Sequence, residues 1–245
     1  MDYEQDTRNA YRNKEKANAY LEQYTQGTKW ARFTMWRQRA LMERILDQCD
    51  LTASDRVLDI PCGTGLIGKI LLNSPAYVIG ADISIEMMDL ARSEYGEGRP
   101  HRLVQADITA TPFVRESFAC VMVLALMHRL HEVLRREVLS EVASLSSRFV
   151  IMSYSVESRS QRIKQRILKT LRPYHIPAPS SVPLPDILRE VASYGFKVLS
   201  ISHIAYFLSA KVVLLLEKEA RRALPEGDAT LDGVAARRPG RPSPQ

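Results

Sequence analysis

A chain of 245 residues, 45% of them apolar, can bury a full core, and it reads as one α/β domain with accessories rather than a repeat array, a collagen-like rod or a disulfide scaffold. The longest apolar run, CVMVLALM at 120–127, falls far short of the roughly 20 residues that span a bilayer, and the polar start MDYEQDTRNAYRNKEK lacks the apolar stretch of a secretory signal. Residues 223–245 balance Arg237, Arg238 and Arg241 against Glu226, Asp228 and Asp232, so the net charge of +6 sits on the folded part, where it suits an anionic substrate, a membrane surface, nucleic acid or plain solubility.

Residues 1–49 read as a helical cap containing Trp30, Trp36 and several arginines. From Arg56 onward, short β-branched runs alternate with helix-like segments, the pattern of a parallel sheet covered on both faces. The expected strands are RVLDI (56–60), AYVIGAD (76–82), HRLVQAD (101–107), FACVMVLA (118–125) and RFVIMSYS (148–155). Between the early strands, LIGKILLN, IEMMDLARSEY and EVLRREVLSEVASL repeat apolar residues at helical spacing. An insertion at 157–185 carries a basic amphipathic segment, SRSQRIKQRILKTLR, and then the proline-rich PYHIPAPSSVPLP. Pro185 suits the first turn of the helix DILREVASYGF, with Gly195 at its C-terminal cap. Two last strands, KVLSISHI (197–204) and KVVLLLEK (211–218), follow each other without a helix and predict an antiparallel hairpin at a sheet edge. The core is thus expected at 50–156 and 186–219, the insertion over it as a lid, and 220–245 as a disordered tail.

Cys49, Cys62 and Cys120 are scattered and form no C-x-x-C pair, which points to a reducing cytoplasm and no metal site. The turn VLDIPCGTGLIGK (57–69) fits three cofactor patterns. Gly63, Gly65 and Gly68 make the dinucleotide fingerprint G-x-G-x-x-G; Gly63 to Lys69 makes most of a P-loop; D-x-x-C-G-T-G suits S-adenosylmethionine. The P-loop fails at Ile70, which stands where Ser or Thr must hold magnesium. Asp82 closes the second strand where an acidic side chain accepts a ribose hydroxyl, which any adenosine cofactor would use. Asp59 discriminates between the remaining two, because a carboxylate at the end of the first strand repels a pyrophosphate but attracts a sulfonium and an ammonium.

VLDIPCGTG, GADIS (80–84), QADIT (105–109) and MHRLH (127–131), in this order and spacing, resemble the motifs of class I S-adenosylmethionine-dependent methyltransferases, over about residues 50–216. The resemblance implies a Rossmann-like, doubly wound seven-stranded sheet. It assigns Asp59, Gly63 and Gly65 to the methionine part of the cofactor, in a turn completed by Pro61, Cys62 and Thr64. It assigns Asp82 to the ribose, Ile83 and Met87 to the side of the adenine, Asp107 to its amino group, Ile108 to its ring, and Leu124 to the floor near the sulfonium. Pro61 departs from the common pattern, which has glycine there.

Methyl transfer is an in-line displacement at an activated carbon, so the protein mainly supplies alignment. For a hydroxyl acceptor a general base helps; His128 after the fourth strand is the first candidate and His131 the second, against a packing role for either. His175 in the insertion reads as a loop residue. Arg159, Arg162, Lys164, Arg166, Lys169 and Arg172 read as a solvated lid face or as a surface for an anionic acceptor or membrane. Tyr20, Trp30 and Trp36 are expected to pack the cap across the site. No D/N/S-P-P-Y/F/W motif follows the fourth strand, and the paired glutamates of protein-arginine enzymes are missing, so a small molecule, lipid headgroup or sugar is favoured over nucleic acid. P-C-G-T-G, H-R-L and a fifth strand ending in SY resemble bacterial saccharide methyltransferases, implying O-methylation of an acidic or phosphorylated sugar. Two other readings compete: a cofactor-binding subunit without catalysis, and a nicotinamide oxidoreductase.

Overall fold

In the computed structural model, which describes residues 13–96, 101–156, 181–204 and 210–219, seven strands form one sheet in the order β3-β2-β1-β4-β5-β7-β6. β1 (Arg56–Asp59), β2 (Tyr77–Asp82), β3 (His101–Gln105), β4 (Phe118–Val123) and β5 (Ser146–Ser155) run parallel. β6 (Phe196–His203) and β7 (Lys211–Lys218) form the antiparallel hairpin expected from the sequence, with β7 inserted beside β5. This is the Rossmann-like α/β arrangement.

The parallel strands are buried on both faces, so alternate residues feed two cores. Val57, Cys120, Met122, Phe149 and Ile151 point into one, with Met42, Ile45 and Leu71. Leu58, Val121, Val123, Val150 and Met152 point into the other, with Leu134, Val138 and Ile187. α1 (Lys14–Thr25) packs on α2 (Lys29–Asp47) and α4 (Ile85–Tyr95); the first core lies under α2, α3 (Gly68–Asn73) and α4, and the second under α5 (Glu132–Leu145) and α6 (Leu184–Ser193). Asn13 and Thr28 cap α1 and α2 through side-chain oxygens. Pro185 lies in the first turn of α6, and Gly195, at φ +77°, follows its end.

Some boundaries differ from expectation for identifiable reasons. β4 stops at Val123 because Ala125 turns into the left-handed region, at φ 57°, and its N–H donates to Ser153 Oγ at 2.7 Å. α3 begins only at Gly68, after Gly63 and Gly65 have taken positive φ in the turn. Trp30 and Trp36 do not pack the cap across the site. The buried face of α2 is Met35, Met42, Ile45 and Leu46, and the tryptophans lie on the opposite, exposed face against Phe33. The basic segment 159–172, His175 and the tail 220–245 lie outside the described residues.

Candidate active site

The strand order reverses between β1 and β4, and in open α/β sheets ligands bind where the loops after such strands part, at their carboxyl ends. A cleft of about 1000 Å³, counted with the open solvent at its mouth, lies there. A second, of about 640 Å³, is lined by Ala106, Asp107, Ile108, Thr109 and His131, among others. Pro61, Ile83, Leu126 and Arg129 line both, so the two cavities form one groove across the ends of β1, β2, β3 and β4.

Most of the expected cofactor residues meet in this groove. Asp59, Pro61, Cys62, Gly63, Thr64, Asp82, Ile83, Met87 and Leu124 line the first cavity, and Asp107 and Ile108 the second. Gly65 is different. A Cβ there would stand 3.0 Å from Ala91 Cα, so its lack of a side chain lets the turn close on α4, and it does not line the groove. The Ile60–Pro61 peptide is cis, and Cys62 is a buried free thiol whose pKa burial pushes up, so Cys62 shapes the turn and is not a thiolate nucleophile.

Local hydrogen bonds hold the acidic residues in place. Asp82 Oδ2 accepts the Gly63 N–H at 2.8 Å and Oδ1 accepts the Ser84 N–H at 2.9 Å, while Ser84 Oγ caps α4 by accepting from Met87 N. Asp107 Oδ1 accepts from Thr109 N and Oγ1, fixing the turn after β3. Asp59 is buried and accepts from Tyr95 Oη at 2.9 Å. Burial raises the Asp59 pKa to about 7, and nearby Asp82 adds to the rise, while the tyrosine bond opposes it. Burial also raises Asp82, against the pull of its amide donors.

Three features escaped sequence reasoning. Tyr95, an apparent core residue of α4, reaches Asp59 because Gly68 and Gly80 leave room for its ring; a Cβ at either would come within 3.1 Å of it. Ser153 pins the loop that carries Leu124 and Ala125. Arg39 of α2 donates from Nε to Leu66 O at 3.0 Å, tying the cap to the glycine turn, while Tyr20, Tyr24, Met35 and Gln38 roof the cleft. Gly68 and Gly80 were the only signal of the first.

The two candidate histidines sit differently with respect to the groove. His128 is buried in a 3₁₀ turn (Met127–Arg129) and lines neither cavity; burial, then Lys211 and Arg129, lower its pKa to about 3. His131 precedes α5 and lines the cavity beside Asp107.

The groove suits an adenosine cofactor bearing positive charge. Two buried carboxylates stand at the ends of β1 and β2, where a pyrophosphate would be repelled. Thr64 Oγ1 is buried with no hydrogen-bond partner among the described residues, leaving a hydroxyl for a ligand in a cavity it lines.

Known proteins agree with this geometry. Residues 57–147 match the family model described as a methyltransferase domain. A malonyl-[acyl-carrier protein] O-methyltransferase of Legionella pneumophila is 36% identical over 78 residues, 31% of this chain and 28% of that protein. A demethylmenaquinone methyltransferase of Clavibacter sepedonicus is 35% identical over 71 residues, 29% of each. The chain thus spans under a third of the length of these curated relatives. Among solved structures, magnesium protoporphyrin IX methyltransferase of Synechocystis with bound SAH superposes with a TM-score of 0.66 at 16% identity, covering 78% of this chain and 88% of that one. A TehB-like S-adenosylmethionine-dependent methyltransferase of Corynebacterium glutamicum gives 0.57 at 16%, covering 84% and 100%. At that identity the likeness is one of fold. The matched segment is a methyltransferase domain, and the seven-stranded sheet built around it has the fold of S-adenosylmethionine-dependent methyltransferases.

Proposed function

We propose that the chain binds S-adenosylmethionine in the groove and transfers its methyl group to a hydroxyl of a small molecule. The observation that carries the reading is the buried Asp59 at the end of β1, with Asp82 beside it and the buried, unpartnered Thr64 hydroxyl of a residue that lines the same cavity. When bound, the cofactor supplies a methyl carbon activated by its sulfonium.

The chain's own residues hold and align. Asp59 and Thr64 face the amino-acid end, Asp82 the ribose, and Asp107 with Ile83, Met87 and Ile108 the adenine; Leu124 and Ala125, pinned by Ser153, form the floor. Tyr20 and Tyr24 with Met35 and Gln38 exclude water from above. Alignment of this kind supplies much of the acceleration of a displacement. His128 is neutral at working pH and acts from behind the wall by packing.

The curated relatives methylate, by their names, malonyl-[acyl-carrier protein] and demethylmenaquinone. That favours a small acceptor, to which the sequence adds acidic or phosphorylated saccharides as a class to screen. The test is release of S-adenosylhomocysteine from S-adenosylmethionine in the presence of small hydroxylated acceptors. Acceptor-dependent turnover that Asp82→Ala lowers at limiting cofactor supports the reading; cofactor binding with no turnover on extracts or acceptors would make the chain a non-catalytic binding subunit.

A further inference from the structure

The outward face of α2 serves neither the core nor the cleft. Met35, Met42, Ile45 and Leu46 turn inward, and Met35 and Gln38 line the cleft. Over the first three turns, residues 29–39, the exposed side chains are Lys29, Trp30, Arg32, Phe33, Trp36 and Arg37, aromatics and cations with no acid among them. The Trp30 ring lies 5.7 Å from Phe33 between centroids, and Phe33 lies 6.1 Å from Trp36, so residues spaced by three form one apolar ridge along the helix. Trp36, at 61% exposed, is the most open of the three. Single exposed apolar residues are ordinary, whereas a contiguous ridge rimmed by polar groups marks an interaction surface. Its place in the fold is informative. The end of α2 lies at the amino edge of the sheet, where Arg148 donates to Cys49 O, so its start lies toward the carboxyl edge, where the groove opens. Exposed Ile85 and Val133, in the first turns of α4 and α5, stand at that same edge.

We propose that the Trp30–Phe33–Trp36 ridge of α2, flanked by Lys29, Arg32 and Arg37, docks the protein peripherally on an anionic lipid bilayer, with the groove edge of the sheet toward the headgroups. Tryptophan and phenylalanine rings seat at the boundary between headgroups and acyl chains, and flexible basic side chains beside them reach lipid phosphates. The charge is complementary: the exposed side chains that flank the ridge are cations, on a chain of net charge +6. A protein partner fits less well, because lysine is depleted in protein interfaces and here a lysine borders the ridge. Single-stranded nucleic acid stacks its bases on separate aromatic platforms, whereas these rings already pack on one another. Among the described residues no helix is long and apolar enough to cross a membrane, so the contact is one of surface insertion. The inward face of α2 stays packed during docking, which therefore needs no unfolding. The proposal stands on the outer face of α2 and is independent of which ligand fills the groove.

Trp30 and Trp36 are the two tryptophans of the chain, so its tryptophan emission reports on this face. The experiment titrates the full chain with vesicles of equimolar phosphatidylcholine and phosphatidylglycerol, and with phosphatidylcholine alone, following emission and co-sedimentation. The expected result is a saturable blue shift with the anionic vesicles, a much weaker one with the neutral vesicles, and loss of binding as salt is raised. Trp36→Ser should weaken binding roughly tenfold, the order expected for one large apolar side chain, and Trp36→Phe should retain most of it. Arg32→Gln and Arg37→Gln should each weaken it about fivefold. These side chains are exposed, so an unchanged urea midpoint shows that the variants fold, and the arginine pair tests the face even where a tryptophan variant does not. Absence of vesicle binding at low salt overturns the proposal. So does vesicle binding with unshifted emission and equal affinity in all variants, which would place the membrane contact elsewhere on the chain. A blue shift with single-stranded RNA, or on raising protein concentration, without vesicle binding assigns the ridge to nucleic acid or to a second copy and overturns it as well.

Discussion

Tyr95 Oη lies 2.9 Å from Asp59 Oδ2, so a tyrosine at the end of α4 supports the carboxylate at the end of β1 from beneath the glycine turn. The bond opposes the burial that raises Asp59. Tyr95→Phe is expected to push the Asp59 pKa further up and to move the pH midpoint of cofactor binding with it. Calorimetry of S-adenosylhomocysteine binding across pH checks this; an unmoved midpoint means that the pair is structural only.

Binding itself should depend on pH in the wild type. With its pKa raised to about 7, Asp59 is largely protonated in the free protein at pH 6, and a cationic ligand favours its ionised form. Affinity for S-adenosylmethionine should rise with pH by up to about tenfold per unit and level off above about 7, with release of a proton. For stability the sign is opposite. A raised carboxyl contributes below its unfolded pKa, and that contribution is lost as pH rises through about 7, so the free protein loses stability from this group toward neutrality. Denaturation curves of wild type and Asp59→Asn between pH 5 and 8, on the order of the window the shift defines, separate the two effects.

Asp82→Ala should weaken cofactor binding by about 1.5–3 kcal/mol, the range for hydrogen bonds to a charged group. Asp82 also accepts the Gly63 and Ser84 amides, so the same variant should lose stability, whereas Asp82→Asn keeps an acceptor and should lose less. Unchanged affinity in both would remove Asp82 from the ribose site.

Gly68→Ala places a Cβ 3.0 Å from the Tyr95 ring. Overpacking of this kind costs ~1–3 kcal/mol, more than the helix-propensity gain of up to about 1 kcal/mol from replacing glycine. Urea denaturation should show net destabilisation, with weaker ligand binding as Tyr95 shifts away from Asp59.

His128, with its pKa lowered to about 3, should contribute no limb near neutrality to the pH–rate profile. A limb close to 6.5 that vanishes in His128→Gln would restore it as a base.

The sheet, and the gathering of the glycine turn and strand-end aspartates at one groove, were legible because their signals are local. β-branched runs fixed each strand core, and Asp82 and Asp107 could be placed from their position at or just beyond strand ends. Gly63 and Gly65 marked the turn, although Gly65 serves closure on α4. Relationships made only by the fold were not legible. Arg129 and Lys211 are ordinary scattered charges until the β6–β7 hairpin brings β7 back to the same edge. Tyr95 has the spacing of a core residue, and nothing in α4 signals that its hydroxyl meets Asp59. The tryptophans misled because large aromatics suggest burial, whereas helical phase places them opposite Met35 and Met42.

The most direct test of the donor site is a calorimetric titration with S-adenosylhomocysteine beside NADH and ATP. Binding of S-adenosylhomocysteine alone, with an affinity on the order of micromolar, is the predicted result. Tight NADH binding without S-adenosylhomocysteine would contradict it, and would make Gly63, Gly65 and Gly68 a dinucleotide fingerprint.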